Sequence, residues 1–313
     1  MKLRRDIFLF GAVAVAAVAG GWWLLANRPG VAIEAFQQEL RQLEAAAQPQ
    51  AASANAFRAT VCADGPCVVI EAGGLTFIFG AGAGAAEGIR ALGLMRPEID
   101  ALLLPDLSVK TVEGLPAIAA AGAERREPLK VYGPAGVLPA IDGANLIVSA
   151  TQRGRLSAGV EGEDQGSSGR MVFDSGVVSI RAFGGNERGA GRVYRVDFDE
   201  RSLILAGCSA LSAEILAAAR EARSPGAIVM AGSEQLRGSA PQCADVATAS
   251  KALGQAKVQT GLVIPADPGS HIPGSAQAWR SVLGDLGTPG LQVGLRGTVI
   301  DMTGESPRVL AGR

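Results

Sequence analysis

The sequence predicts a layered α/β domain that follows a separate N-terminal segment. From residue 56 onward, strand-like runs rich in β-branched residues alternate with helix-like runs, in both halves of the chain. Hydrophobic residues form 48% of the 313 residues and aromatic residues only 4%, so the core is built mainly from valine, isoleucine, leucine and alanine. The net charge of −1 gives no electrostatic argument for nucleic-acid binding, which needs a basic surface to displace counterions from phosphates, and we expect no nucleic-acid partner.

The N-terminal segment has the pattern of a membrane anchor. Residues 1–6 form a basic tail, and the twenty residues of Ile7–Ala26 carry no charge, a length that spans a bilayer as a helix. Positive charge on the leading side predicts a cytoplasmic N-terminus, hence a single-pass inner-membrane protein with its globular domain on the periplasmic side. A cleaved signal peptide is the alternative, because Ala17-Val18-Ala19 resembles a cleavage site. Either interpretation exports the domain.

The domain boundaries follow from composition. Residues 27–55 are predicted to form a helical stalk and a polar linker, since Ile33, Phe36, Leu40 and Leu43 make one apolar stripe and QPQAASAN follows at 48–55. Residues 56–313 form the globular domain.

Four cysteines occur in this exported domain, where disulfides persist. Cys62 and Cys67 flank the turn-forming tetrapeptide Ala63–Pro66, so either a short disulfide or two free thiols fits the pattern. Three interpretations of Cys208 are open: it is a buried inert thiol, it forms a disulfide with Cys243, or it is a nucleophile.

The strand and helix pattern can be assigned along the domain. A hairpin is predicted at 67–79, where two β-rich runs meet at Gly73-Gly74. Further strands are predicted at 99–104, 129–132, 177–182, 192–198, 202–205, 227–231 and 259–264, and helices at 85–94, 114–121, 212–222 and 244–253.

The segment 102–116, LLLPDLSVKTVEGLP, resembles the metallo-β-lactamase superfamily, in which a buried strand ends in T-H-x-H-x-D-H and leads to a G-L-P helix start. Segments 66–82, 128–136, 194–197, 205–209 and 261–268 resemble, in the same order, further motifs of the ribonuclease Z and arylsulfatase-like branch. The resemblance implies a four-layer αββα sandwich, preceded here by the transmembrane helix.

The family's metal ligands are replaced in this chain. The positions that the resemblance assigns to them are Gly80, Asp106, Ser108, Lys110, Thr111, Asn186, Cys208 and Ala266. Only Asp106 and Cys208 are good ligands, and two ligands cannot close a tetrahedral zinc site. Lys110 puts a positive charge where a cation would lie, and we expect it to pair with Asp106. We therefore predict no metal and no other cofactor.

His271 is the only histidine of the chain. It lies five residues beyond Ala266, the position of the last family histidine, and is either an exposed loop residue or a partner of Asp267 or Cys208.

We therefore expect a membrane-anchored, catalytically inactive protein that acts by binding or by regulating a partner. The resemblance implies a homodimer or a heterodimer with an active paralogue, and another protein of the cell envelope is the alternative partner. One alternative is a metal-independent hydrolase that uses Cys208 with His271 and Asp267. The other is a ligand-binding module that uses the vacated cleft.

Overall fold

The computed structural model describes residues 53–95, 98–122, 125, 127–149, 155–163, 168–187, 189–210, 212–232, 243–266, 275–286 and 290–311. The predicted anchor, stalk and most of the linker lie outside these residues, as do Asp267 and His271. Within the described ranges, none of the helices has the length and apolar character needed to cross a bilayer.

The first sheet has eight strands, in the order β15-β14-β1-β2-β3-β4-β5-β6. The strands from β3 to β6 run parallel, whereas the other neighbouring pairs are antiparallel. Their bounds are β1 Phe57–Val61, β2 Val68–Ala72, β3 Leu75–Phe79, β4 Ala101–Leu103, β5 Leu129–Tyr132, β6 Leu156–Ala158, β14 Val299–Asp301 and β15 Arg308–Leu310.

The second sheet has seven strands, in the order β13-β12-β11-β10-β9-β8-β7. The strands from β10 to β13 are parallel, and β7 to β10 form an antiparallel meander. Their bounds are β7 Arg170–Asp174, β8 Ser179–Gly184, β9 Arg192–Phe198, β10 Arg201–Ala206, β11 Gly226–Ala231, β12 Thr260–Pro265 and β13 Leu291–Val293.

Three apolar clusters define four layers. The central cluster joins the facing sides of the two sheets, with Phe77 and Phe79 from one sheet and Leu203 and Leu205 from the other. The outer face of the first sheet packs on α1 (Ala85–Ala91), α3 (Leu115–Ala121) and α4 (Val137–Ser149). The outer face of the second sheet packs on α5 (Ser212–Ala219), α6 (Val246–Gln255) and α7 (Ser275–Asp285). The predicted αββα sandwich is therefore present in the described residues.

Local sequence chemistry explains the hairpin of β2 and β3. Gly73 and Gly74 have φ values of 58° and 84°, which glycine adopts without steric cost, and the register pairs Ala72 with Leu75. Several elements were not predicted from the sequence, among them α4, α7 and the short helix α2 (Val109–Val112).

Candidate functional site

The site positions follow the ends of β3, β4, β8, β10 and β12, in loops except for Lys110 and Thr111, which lie in α2. Glycines let these loops approach each other closely. Gly114 donates its backbone N–H to the Ala81 carbonyl at 2.7 Å, and a Cβ on Gly114 would lie 2.3 Å from the Gly82 carbonyl oxygen. The Gly-Leu-Pro sequence that begins α3 is thus explained by contact with the loop after β3, with Pro116 in the first turn of the helix.

Asp106 follows β4 and is 3% exposed. Its Oδ1 accepts a hydrogen bond from the backbone N–H of Ser108 at 3.0 Å. Its Oδ2 is buried without a hydrogen-bond partner in the described part of the chain, and it lies close to the backbone of Gly207 at the end of β10. The buried carboxylate therefore faces the loop that carries Cys208.

Ser108 and Thr111 interact with each other. Their hydroxyl oxygens lie 3.1 Å apart, and Thr111 is buried. The Thr111 carbonyl also accepts the N–H of Ala81 at 2.9 Å. At these two positions, which the resemblance assigns to metal ligands, the chain has a pair of hydroxyl groups at the start of α2.

Lys110 reaches the end of β12. Its Nζ donates a hydrogen bond to the backbone carbonyl of Ala266 at 3.0 Å. The expected ion pair of Lys110 with Asp106 is wrong: no such pair occurs between these two described residues, because the ammonium group is directed to the Ala266 carbonyl instead. The lysine thus connects two of the positions that the resemblance assigns to metal ligands.

Cys208 forms a disulfide with Cys243, and Cys62 forms one with Cys67. The backbone supports the first bridge, since Ala244 donates its N–H to the Cys208 carbonyl at 3.0 Å. In this oxidised state Cys208 offers neither a thiolate ligand nor a thiolate nucleophile.

Gly80 has no room for the family's aspartate. Its φ is 75°, and a Cβ would lie 2.5 Å from the Pro66 carbonyl oxygen. Its backbone N–H donates to the Leu103 carbonyl at 2.8 Å. A side chain at this position would require the Cys62–Cys67 turn, which contains Pro66, to move.

Tyr194 ties the two sheets together beneath the site. Its buried hydroxyl lies 3.0 Å from the Leu104 carbonyl oxygen and 3.1 Å from that of Tyr132, and it donates its one proton between them. Burial raises the pKa of the Tyr194 phenol far above its ordinary value. The resemblance of 194–197 to a family strand thus marks a residue that supports the loops after β4 and β5.

A charged cluster was not predicted from the sequence. Glu161 forms ion pairs with both Arg192 and Arg170, the second at 2.9 Å, and Arg170 also donates to Asn186 Oδ1 at 3.3 Å. Asn186 is exposed and the Arg192 side chain is only 4% exposed. No local sequence pattern predicts this cluster, because Arg170 and Arg192 lie in β7 and β9 whereas Glu161 lies in the segment that follows β6.

These residues do not fit a family metal centre. The orphaned Oδ2 of Asp106 is one carboxylate oxygen, but Cys208 is bridged, Ala266 has no donor side chain, and a cationic lysine lies between the loops. A zinc site needs three or four nitrogen, sulfur or oxygen ligands. In the described ranges, no three His, Cys, Asp or Glu side chains are grouped as metal ligands.

Comparisons with known proteins match the architecture only. No protein-family model matches the sequence, and no curated protein matches it. The metallo-β-lactamase fold protein YhfI from Bacillus subtilis has a TM-score of 0.59 at 10% identity, covering 79% of this chain and 99% of its own. The short form of human tRNase Z has a TM-score of 0.55 at 13% identity, covering 83% of this chain and 98% of its own.

Unliganded yeast PDE1 has a TM-score of 0.56 at 10% identity, covering 79% of this chain and 99% of its own. At these identities the likeness establishes the fold, in agreement with the two sheets and their outer helices. The described residues therefore have the metallo-β-lactamase fold.

Proposed function

We propose that this chain is a metal-independent, non-catalytic binding protein of the cell envelope. The observation that carries the proposal is the 3.0 Å hydrogen bond from Lys110 Nζ to the Ala266 carbonyl. It joins two positions that the resemblance assigns to metal ligands, and the group that it places there is cationic and not a metal ligand. Metal-dependent hydrolysis needs a metal that activates water and polarises the scissile bond, and these residues supply no ligand set for one.

The oxidised cysteine pair supports the same proposal. The position of the family's bridging aspartate is Cys208, which is covalently bound to Cys243. The strands of the metallo-β-lactamase fold are present, while the positions that the resemblance assigns to metal ligands carry a lysine, a hydroxyl pair and a disulfide. We infer that a protein with this fold and no metal-ligand set acts by binding a ligand or a partner protein.

Membrane attachment and partners are part of the proposal. The basic residues of 1–6 and the uncharged run of Ile7–Ala26 support an inner-membrane anchor with the domain in the periplasm. Two disulfides agree with an oxidising compartment. Pairing with a second copy or with an active paralogue stays a prediction, and light scattering of the detergent-solubilised full-length chain tests it.

Metal analysis and hydrolase assays test the central claim. The full-length chain is purified, incubated with zinc, desalted and measured by mass spectrometry, with a tRNase Z treated in parallel as the positive control. We expect sub-stoichiometric zinc and no hydrolysis of phosphodiester, sulfate ester or lactam probes. One or more zinc ions per chain together with zinc-dependent hydrolysis would overturn the proposal.

The Cys208 hydrolase is the less favoured alternative. In the oxidised chain its sulfur is bonded to Cys243, so this hypothesis applies only to the reduced protein. Iodoacetamide labelling at neutral pH, with and without prior reduction, tests it. Esterase activity that appears on reduction and is lost in Cys208→Ala would favour this alternative over a binding protein.

A further inference from the structure

The two disulfides of the domain differ in their access to solvent. Cys62 and Cys67 are each 0% exposed and belong to the apolar cluster between the first sheet and its helices. Cys208 and Cys243 are each only partly buried. Thiol–disulfide exchange needs direct contact between an incoming thiolate and one sulfur of the bridge. The folded chain therefore offers the second bridge to this reaction and withholds the first.

Packing of α1 closes the Cys62–Cys67 bridge. Gly88 of this helix lies against the backbone of Cys62, since a Cβ on the glycine would lie 1.9 Å from the Cys62 carbonyl oxygen. Cys62 also donates its backbone N–H to the Cys67 carbonyl at 2.9 Å. A thiolate can therefore reach this bridge only when α1 moves away or the domain unfolds.

The Cys208–Cys243 bridge lies at one end of the second sheet. Cys208 follows β10, and Cys243 lies shortly before the first residue of α6. Between them, Ala244 donates its N–H to the Cys208 carbonyl at 3.0 Å and accepts the N–H of Gly232, the residue after β11, at 3.0 Å. The bridge thus adds a covalent bond to the hydrogen bonds that hold the segment before α6 against the ends of β10 and β11.

The two sulfurs of this bridge have different surroundings. The Cys208 side chain packs against the central apolar cluster. The adjacent Gly207 lies close to the buried Oδ2 of Asp106. Apolar surroundings and a carboxylate both oppose the approach of a negatively charged thiolate. Cys243 Sγ, which has the neutral carbonyl oxygen of Met230 at 3.8 Å, is therefore the sulfur that an incoming thiolate attacks.

We propose that the Cys208–Cys243 bridge is a thiol–disulfide exchange site and that its co-reactant is a protein dithiol. One thiolate of the dithiol attacks Cys243 Sγ, the bond between Cys208 and Cys243 breaks, and the released Cys208 sulfur takes up a proton. The second thiolate of the dithiol then attacks the dithiol's own sulfur in the mixed disulfide and releases Cys243, which is protonated in turn. The dithiol is oxidised to a disulfide, and two electrons and two protons pass to the cysteine pair. This inference is independent of the proposed binding function.

The rates of reduction of the two bridges test the proposal within one molecule. The oxidised full-length chain is incubated with dithiothreitol, quenched with iodoacetamide at intervals and mapped by mass spectrometry of its peptides. We expect Cys208–Cys243 to be reduced at least tenfold faster than Cys62–Cys67 in the folded chain, and the difference to disappear in urea. Equal rates in the folded chain, faster reduction of Cys62–Cys67, or a difference that persists in urea overturns the proposal.

A trapped mixed disulfide tests the dithiol partner and the sulfur that is attacked. The probe is a thioredoxin in which serine replaces the second cysteine of its reactive pair, so that the mixed disulfide is not resolved. We expect an adduct at Cys243 in the parent chain and in the matched control Cys62→Ala/Cys67→Ala, and none in Cys208→Ala/Cys243→Ala. Absence of an adduct in the parent chain, or an adduct at Cys62 or Cys67, overturns the proposal, and an adduct at Cys208 contradicts attack at Cys243.

Hydrogen exchange tests what the reaction changes in the domain. After selective reduction of Cys208–Cys243, the segment before α6 has lost its covalent bond to the end of β10. We expect the amide of Ala244 to exchange at least tenfold faster, whereas the amide of Gly80, which donates to the Leu103 carbonyl in the first sheet, keeps its rate. Unchanged exchange at Ala244 contradicts a local release, and faster exchange at both amides contradicts it as well, because the whole domain has then opened.

Discussion

The ammonium group of Lys110 donates a hydrogen bond to the carbonyl oxygen of Ala266, with 3.0 Å between the nitrogen and the oxygen. The bond crosses from the loop after β4 in one sheet to the end of β12 in the other. It therefore connects α2 to the end of β12, two segments that carry positions which the resemblance assigns to metal ligands.

Lys110→Met tests whether the lysine alone keeps zinc out. We expect zinc to remain sub-stoichiometric in this variant, because Gly80, Ser108 and Ala266 still supply no suitable ligands. Since Lys110 is exposed, the free energy of unfolding should change by less than about 1 kcal/mol. Zinc analysis and urea denaturation check both points, with Lys130→Met as the control on an exposed strand position. Stoichiometric zinc in Lys110→Met would show that the remaining residues suffice as ligands.

The disulfide of Cys208 with Cys243 should stabilise the domain strongly. It closes a loop across a sequence separation of 35, and the chain-entropy relation gives about 4 kcal/mol for a loop of that length. We expect Cys208→Ala/Cys243→Ala to lower the free energy of unfolding by about this amount in urea denaturation. The single variant Cys243→Ala should expose the Cys208 thiol to iodoacetamide, whereas the parent chain is not labelled. Labelling of the unreduced parent at Cys208 would contradict the bridge.

Gly80 and Gly84 offer a matched test of the closed loop after β3. Their φ values are 75° and 70°, but a Cβ on Gly80 meets the Pro66 carbonyl oxygen at 2.5 Å while one on Gly84 meets nothing within 4 Å. Gly84→Ala should cost about 1–2 kcal/mol from the left-handed backbone alone. Gly80→Ala should cost at least about 1 kcal/mol more from the steric clash. Equal losses of stability in the two variants, measured by thermal or urea unfolding, would show that the turn at Pro66 moves without an energetic cost.

The buried phenol of Tyr194 predicts how the stability of the domain depends on pH. Burial favours its neutral phenol, so its pKa in the folded chain lies above the ordinary value of about 10. The folded state therefore holds this proton where the unfolded state has lost it, and the stability from Tyr194 is present below pH 10 and declines as the pH rises above it. The free energy of unfolding of Tyr194→Phe, measured by urea denaturation, should be about 1–2 kcal/mol lower than that of the parent chain at neutral pH. Above pH 10 it should decline less steeply with pH than that of the parent chain.

Phenolate absorbance isolates this titration, because the chain has only two tyrosines. In Tyr132→Phe, the remaining phenolate signal should appear only together with unfolding. Ionisation of Tyr194 near pH 10 in a folded Tyr132→Phe chain would contradict its burial.

Local sequence patterns predicted much of the sheet architecture. Apolar runs such as Ile228–Ala231 and the Gly73-Gly74 turn are local signals, and local signals predict β11 and the β2–β3 hairpin within one or two residues. Helix α4 was missed because Pro139 and Gly143 lower its apparent helical propensity, although packing of Ile141 and Ala144 on the first sheet compensates.

By itself the sequence predicted the αββα layering, and it determined which residue types stand at the positions that the resemblance assigns to metal ligands, because both depend on residue types in a fixed order along the chain. Only the tertiary structure decided which contacts the residues at these positions make. Lys110 and Ala266 are 156 residues apart, and Asp106 was the more obvious partner for the lysine in sequence. The pairing of Cys208 with Cys243 and of Glu161 with its two arginines was also decided by the tertiary structure. The partner of each side chain depends on how the two sheets bring their loops together, and no local sequence pattern encodes that.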